Sequence, residues 1–217
     1  MKLFIQIPCL NEESTLRDTL NDLPKKLAGI DEIQILVIDD GSTDSTLKIA
    51  KNWGVNHFVI HKENKGLASA FRSGIAYCLD NGADIIVNTD GDNQYKASYI
   101  KDITAPIIDQ SFDIVIGSRP ISEINYFSFK KKILQKLGSY VVRKVSNTSI
   151  EDATSGFRAL SRAAAKRIRI IDDYTYTIDM IISSGRKNMK ITSVPIKVNP
   201  MTRDSRLIHS IFDYVIR

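Results

Sequence analysis

Short runs of aliphatic and β-branched residues alternate along the chain with segments whose apolar positions recur every three or four residues. Residues 3–8, 33–39, 57–60, 84–88 and 113–117 are too short for helices and read as strands. Between them, Leu16, Leu20, Leu23 and Leu27 share one helix face, with Pro24 as its kink or end. Ser42 or Asp44 can cap a short helix running through Lys51. Leu67, Ala70, Phe71, Gly74, Ile75 and Cys78 form another apolar helix face. Strand, helix, strand at this spacing predicts an α/β fold, a mostly parallel sheet with helices on both faces. Such sheets bind ligands at the carboxyl ends of their strands, so the residues just after each strand become the candidate chemistry.

The pattern loosens after residue 120. Residues 121–147 read as a loop and a basic amphipathic helix. Ile133, Leu134, Leu137, Tyr140, Val141 and Val145 mark its apolar side; Lys130, Lys131, Lys132, Lys136, Arg143 and Lys144 carry its charge. A strand at 156–160, helices at 162–169 and 175–185, and a strand at 191–198 come next, then an amphipathic piece through Leu207, Ile208, Ile211, Phe212 and Val215. No repeat or linker interrupts the chain, and 217 residues with 43% hydrophobic content suffice for one domain with a sizeable core.

Charge changes this picture. The net +5 conceals a net −6 over residues 1–113 and a net +11 over 114–217. Residues 124–150 contain no Asp or Glu and six Lys or Arg, an imbalance that favours an anionic membrane surface. Nucleic acid ranks below it, because no aromatic-interleaved binding motif is present. Two cysteines, Cys9 and Cys78, in apolar settings argue for reduced thiols and against a disulfide framework. The first apolar run is too short for a signal peptide, and no stretch approaches ~18 apolar residues. The chain is therefore expected to be soluble or peripheral, on the cytoplasmic face of a membrane.

Part of the acidity gathers at three predicted strand ends: Pro8-Cys9-Leu10-Asn11-Glu12-Glu13, Asp39-Asp40-Gly41-Ser42-Thr43-Asp44 and Thr89-Asp90-Gly91-Asp92-Asn93-Gln94. Any one of these is an ordinary turn or cap; three on one sheet edge point to a ligand. Asp90 and Asp92 can bind one hard cation, with Gln94 as a further oxygen ligand and Gly91 letting the turn bend. Neither a G-x-G-x-x-G after the first strand nor a P-loop occurs, so any nucleotide is held by side chains and metal.

These segments in order, with NKGLASAFRSG at 64–74, DIVIGSR at 113–119 and DATSGFRAL at 152–160, resemble the family 2 glycosyltransferases of GT-A fold. Within that family, GSR followed by TSGFRAL is most similar to the polyprenyl-phosphate sugar synthases, of the dolichyl-phosphate mannose synthase type. The resemblance covers residues 1–206, split into a nucleotide-sugar and metal part (1–117) and an acceptor part (118–206). It implies that Pro8, Asn11, Glu12, Asn64, Lys65 and Gly66 line the nucleotide pocket. Asp39 and Asp40 would sit by base and ribose, with Asp40 preferred. Asp90, Asp92 and Gln94 match a D-x-D-x-Q site for Mg²⁺ or Mn²⁺ on the diphosphate of a UDP- or GDP-sugar. Arg119 would meet the acceptor phosphate and Arg203 the donor phosphates. Relatives often carry an Arg and a Ser four apart for that acceptor; here Lys131 and Gln135 stand in the corresponding place, with Lys132 adding charge. The implied reaction is inverting transfer to a polyprenyl phosphate. The alternative is transfer to a sugar hydroxyl, with Asp152 as base unless it is a loop carboxylate or the partner of Arg158. A third reading is a non-catalytic nucleotide-sugar-binding subunit. The 207–217 segment is read as either a peripheral end or a lead into membrane helices.

Overall fold

The computed structural model describes residues 1–121, 129–171 and 176–200, apart from the side chains of residues 129–131. Seven strands form one sheet: β1 (Lys2–Cys9), β2 (Glu32–Asp39), β3 (His57–Ile60), β4 (Ile85–Asn88), β5 (Ile114–Ser118), β6 (Arg158–Ser161) and β7 (Ile191–Pro195). Their order is β3-β2-β1-β4-β6-β5-β7. Every described pairing is parallel except those of β6, which runs against β4 and β5. The chain winds outward from β1 to β3, then crosses back to β4 on the other side of β1. That reversal creates a crevice at the carboxyl ends of β1, β2 and β4. Because β6 is reversed, its first residue Arg158 pairs with Asn88, the last of β4. The loop before β6 thus opens on the same edge as the three acidic turns.

Two cores explain the strand alternation. Leu3, Ile5, Ile7 and Cys9 of β1 face one side and Phe4 the other. The first side is covered by α1 (Leu16–Asp22), α2 (Thr46–Trp53) and α4 (Ile100–Ile108). The second is covered by α3 (Leu67–Asp80), α5 (Phe129–Ser146), α6 (Arg162–Arg167) and α7 (Thr177–Arg186). Helices therefore lie on both faces, as the pattern predicts. Fully burying each such side chain contributes ~1.5–3 kcal/mol.

The departures are local. Helix α1 stops before Pro24, so Leu27 is not on its face. Helix α2 begins at Thr46, and Asp44 accepts the Thr46 amide at 2.9 Å while Ser42 turns to the neighbouring loop. Helix α4 has no counterpart among the predicted elements. Pro106 lies inside it and lacks a backbone donor, but buried Ile100, Ile103 and Ile107 hold the turn. Strand β7 ends at Pro195, three residues short of the expected limit. Among the described residues, no helix is long and apolar enough to cross a membrane.

Candidate active site

The turns after β1 and β2 are built as one unit. Asn11 takes a left-handed φ of 54°, which turns its amide to Ser42 Oγ (2.9 Å) and its side-chain carbonyl to the Thr43 amide (2.8 Å). The Glu12 amide donates to Thr46 Oγ1 (2.7 Å), and its buried carboxylate accepts from the Thr15 hydroxyl (3.1 Å). Thr15 and Thr19 also donate to the Gly91 carbonyl, at 2.9 and 3.0 Å, which ties the turn after β4 to the same frame. Pro8 is buried inside β1, opposite Ile38. Asn11 and Glu12, predicted to line a nucleotide pocket, tie the turns after β1 and β2 together through these bonds.

The two acids ending β2 have different surroundings. Both are buried, at 3% and 4% exposure. Asp40 accepts from His61 Nδ1 (2.6 Å), the Lys65 amide (3.0 Å) and the Gly66 amide (2.9 Å). Its carboxylate thus fixes the segment holding Asn64, Lys65 and Gly66. Asp39 accepts the Ser42 amide (3.2 Å) and borders an open hollow of about 460 Å³, lined also by Asp44, Leu47, Lys48 and Lys51. Gly41, next in the chain, has φ +79°, and a Cβ there would meet the Glu63 carbonyl carbon at 2.6 Å. Only glycine lets the two turns touch at this point.

Asp90, Asp92 and Gln94 sit partly exposed on the turn after β4. Asp92 Oδ1 accepts the Gln94 amide (3.1 Å), and Asn93, at φ 55°, carries the left-handed bend. Gly91, expected to supply that bend, does not take a left-handed φ. A Cβ on it would meet Cys9 Sγ at 3.1 Å and Glu12 Cγ at 3.2 Å, so close approach explains it instead. Across the crevice Gly156 covers Asp90; a Cβ there would lie 3.0 and 3.2 Å from the two carboxylate oxygens. Among the described residues no cluster of three acids, histidines or cysteines surrounds this point. Two carboxylates and an amide form a hard, incomplete oxygen set. It fits Mg²⁺ or Mn²⁺ sharing its shell with water and a diphosphate, and not a closed structural ion. Cys9 beside it is buried, and burial with the Glu12, Asp39 and Asp90 charges pushes its thiol well up, so it stays protonated and inert.

Arg119, just past β5, meets Asp152 in a buried bidentate pair: Nε to Oδ2 at 2.7 Å and Nη2 to Oδ1 at 2.9 Å. The Arg119 amide also donates to Asp152, at 3.1 Å, and Nη2 to Thr154 Oγ1 at 2.9 Å. Burial acts to raise the Asp152 pKa, but the Arg119 charge and hydrogen bonds outweigh it and hold the carboxyl below its usual range. The suggested partner Arg158 is instead committed to three carbonyls, of Ser155, Thr177 and Ala153, at 2.7, 2.7 and 2.8 Å. Gln135, 5% exposed on α5, donates Nε2 to Thr154 Oγ1 at 3.2 Å. Its Oε1 is buried with no hydrogen-bond partner among the described residues. The Lys131 side chain and Arg203 lie outside the described residues, as does the 201–217 segment.

Residues 4–169 match the sequence profile described as Glycosyl transferase family 2. The chain belongs to this family. A relative from Methanococcus voltae, a UDP-N-acetylglucosamine–dolichyl-phosphate N-acetylglucosaminyltransferase, is 30% identical over 90% of this chain and 84% of its own. An undecaprenyl-phosphate mannosyltransferase of Micrococcus luteus is 28% identical over 90% and 83%. The fold is similar to that of glucosyl-3-phosphoglycerate synthase from Mycobacterium tuberculosis, solved with Mn²⁺ and UDP. That likeness has a TM-score of 0.75 at 18% identity, over 94% of this chain and 73% of that one, and it identifies the sheet as GT-A. The chain is thus a family 2 glycosyltransferase whose relatives include polyprenyl-phosphate sugar transferases.

Several residues that sequence reasoning gave no role hold this candidate site together. His61, which shows no ligand spacing in the sequence, bridges Asp40 and Ser73 Oγ (3.1 Å). Gln6 and Asn88, polar residues inside strands, bond each other at 2.9 Å beneath the crevice. Asn88 continues to the Gly156 carbonyl (2.9 Å) and the Tyr176 hydroxyl (2.8 Å), and Tyr95 receives the Gly156 amide at 2.9 Å. Tyr176 is buried and stacked on Phe71 at 3.8 Å, a core position. The signal for this network is a buried-strand position occupied by Gln or Asn, which requires a partner.

Proposed function

We propose that this transferase moves a sugar from a UDP- or GDP-sugar to a polyprenyl phosphate, with inversion, as a peripheral protein on the cytoplasmic face of a membrane. The observation that carries the reading is the commitment of Asp152, the candidate base, to Arg119. A carboxylate with a depressed pKa is a poor proton acceptor. A phosphate monoester, with a second pKa of ~6, is already mostly ionised at neutral pH and needs none removed. The curated relatives named for dolichyl or undecaprenyl phosphate support the same acceptor class.

Asp39 and the frame of Asn11 and Glu12 receive the nucleoside; Asp40 holds the Asn64–Lys65–Gly66 wall in place. Asp90, Asp92 and Gln94 would hold the divalent cation, which when bound neutralises charge on the leaving diphosphate. Arg119, oriented by Asp152, presents its guanidinium at the acceptor side, with Lys131 and Gln135 on the adjoining helix and Arg203 reaching the donor phosphates. An acceptor phosphate oxygen attacks the anomeric carbon from the face opposite the diphosphate. The bond from that carbon to the diphosphate oxygen breaks, and its electron pair leaves with the nucleoside diphosphate.

A panel of UDP- and GDP-sugars with short-chain polyprenyl phosphate and Mn²⁺, read as lipid-linked sugar, tests this. Transfer to a sugar hydroxyl, with none to the lipid phosphate, refutes it. That second reading is favoured by Gln135 Oε1, a buried acceptor suited to a ligand hydroxyl. Turning the amide over presents Nε2 instead, a donor that a phosphate accepts.

A further inference from the structure

We propose that Asn88 and Tyr176 are positioning residues: by fixing the Gly156 peptide they set the place of the Asp90 carboxylate and tie it to the Arg119 side of the crevice. A closed set of bonds surrounds that peptide. The Gly156 carbonyl accepts from Asn88 Nδ2 (2.9 Å) and from the Tyr176 hydroxyl (3.1 Å), and its amide donates to the Tyr95 hydroxyl (2.9 Å). Asn88 Nδ2 also donates to the Tyr176 oxygen (2.8 Å). Asn88 Oδ1 accepts Gln6 Nε2 (2.9 Å) from the directly paired residue of β1. Both amide hydrogens and the amide carbonyl of Asn88 are thus engaged, so the side chain has one orientation. Gln6, Asn88 and Tyr176 are fully buried. The Tyr176 ring is stacked on Phe71, and the Arg158 guanidinium lies 5.6 Å from its centre. Burial, with the Asp90 charge, pushes the Tyr176 ionisation well up, so the hydroxyl keeps the proton it donates.

Core packing alone does not call for these side chains. Leu at 88 and Phe at 176 would fill the same space with no buried polar atoms to satisfy. A fully satisfied polar network instead fixes geometry where apolar contacts would let the parts slide. What it fixes here is the segment 152–156. Arg158 holds that segment through the Ala153 and Ser155 carbonyls, and Ser155 Oγ donates to the Gly117 carbonyl (2.6 Å). At one end Asp152 aligns Arg119. Four residues on, Gly156 lies against Asp90: a Cβ on it would be 3.0 and 3.2 Å from the two carboxylate oxygens and 3.2 Å from the Tyr176 hydroxyl. Asp90 is also two residues beyond Asn88. The same amide therefore anchors the carboxylate from its own strand and from the segment facing it. Movement of Gly156 would change the spacing of Asp90 from Asp92 and Gln94, and a small hard cation such as Mg²⁺ demands near-ideal oxygen geometry. The inference rests on the donor-cation reading of Asp90 for its consequence, while the geometry stands without it.

The test sets two network variants against a control in the full chain. Tyr176→Phe removes one hydroxyl and keeps the stacked ring. The pair Gln6→Leu/Asn88→Leu replaces both bonded amides by apolar groups of similar shape, which leaves neither amide orphaned. The control Ile181→Val trims a buried residue of α7 that makes none of these bonds. Tyr176→Phe and Ile181→Val should each lower the thermal midpoint by roughly 2–4 °C. Calorimetry of Mn²⁺ binding with UDP or GDP, without acceptor, separates them. Affinity should fall roughly five-fold in both network variants and stay within about two-fold of wild type in Ile181→Val. Gly156→Ala disturbs the same contact, so adding Tyr176→Phe to it should cost less than about two-fold more. The metal-free protein gives a second readout. The backbone amide resonances of Asp90 and Gly156 should move in both network variants and not in Ile181→Val. Wild type that binds no Mn²⁺ with either nucleotide would refute the donor-site reading, and the amide resonances then decide the positioning role. Mn²⁺ affinity that merely follows the thermal midpoint in all variants overturns the proposal, as does an Asp90 resonance that Tyr176→Phe leaves in place.

Discussion

Asp152→Asn separates the two chemistries once the Arg119 pair is taken into account. Were Asp152 only a spectator loop acid, the change would be nearly silent in a phosphate-acceptor enzyme. The structure predicts otherwise. Asp152 is fully buried and accepts both side-chain bonds and the amide of Arg119. The Asn amide leaves a buried guanidinium without its counter-charge, and removing one partner of a buried pair costs about 3–5 kcal/mol. At ~2–4 °C per kcal/mol for a chain of this size, the thermal midpoint should fall by roughly 6–20 °C. The Asp152 pKa is lower in the folded state, so the unfolded carboxyl takes up its proton first. The pair's contribution is full above an unfolded pKa of ~3.9 and disappears as pH falls through the lower folded value. Wild type and variant should converge in stability across that acid window. Urea unfolding from pH 7 to pH 3 measures it. Activity should fall because Arg119 is misplaced, with the same pH dependence as wild type. A variant of wild-type stability whose kcat collapses by more than about a thousand-fold would refute this reasoning and restore Asp152 as the base.

Three further outcomes are expected. Gln135→Glu keeps an acceptor oxygen but adds charge beside Arg119. Lipid-phosphate transfer should drop by ~10-fold or more through acceptor KM, whereas an enzyme using a hydroxyl acceptor would tolerate the change. Gly156→Ala places a Cβ 3.0 Å from Asp90 Oδ1; the Mn²⁺ concentration for half-maximal activity should rise several-fold with a stability loss of at most ~1 kcal/mol, and an unchanged metal titration would disprove the contact. His61→Ala removes the donor to Asp40, and a hydrogen bond to a charged group is worth about 1.5–3 kcal/mol. UDP or GDP affinity by calorimetry should weaken by ~10-fold, and His61→Asn, which keeps a donor near the Nδ1 position, should recover most of it. Equal losses in the two variants would show that His61 merely fills space.

The strands and the three acidic turns were legible because local pattern determines them. Alternation on β1 requires two cores, two cores require helices on both faces, and the ligand edge is set by that winding. The acceptor side was not legible, because it depends on contacts distant in sequence. Arg119 and Asp152 are 33 positions apart, and nothing in the alternation of residues 156–160 reveals that β6 runs backward to bring them together. His61 and Asp40 face the same limit, since each alone reads as an ordinary strand-end residue.

Helix α5 shows where pattern reading stops. Its apolar and basic positions are plain from spacing, but a helical wheel does not say which side meets the protein. The side chains that decide are small or polar: Ser139 takes the Ala153 amide, Gln135 reaches Thr154, and Gly185 admits the Ser146 backbone. Each favours the inward orientation of the polar face more specifically than a nondirectional apolar stripe could oppose it. The stripe is left outward on the basic half of the chain, while the acids of the other half gather around Asp39, Asp90 and Asp92 on the nucleotide side. The uneven charge thus follows the path of the proposed transfer, from the acidic turns after β1, β2 and β4 to the basic side that carries α5.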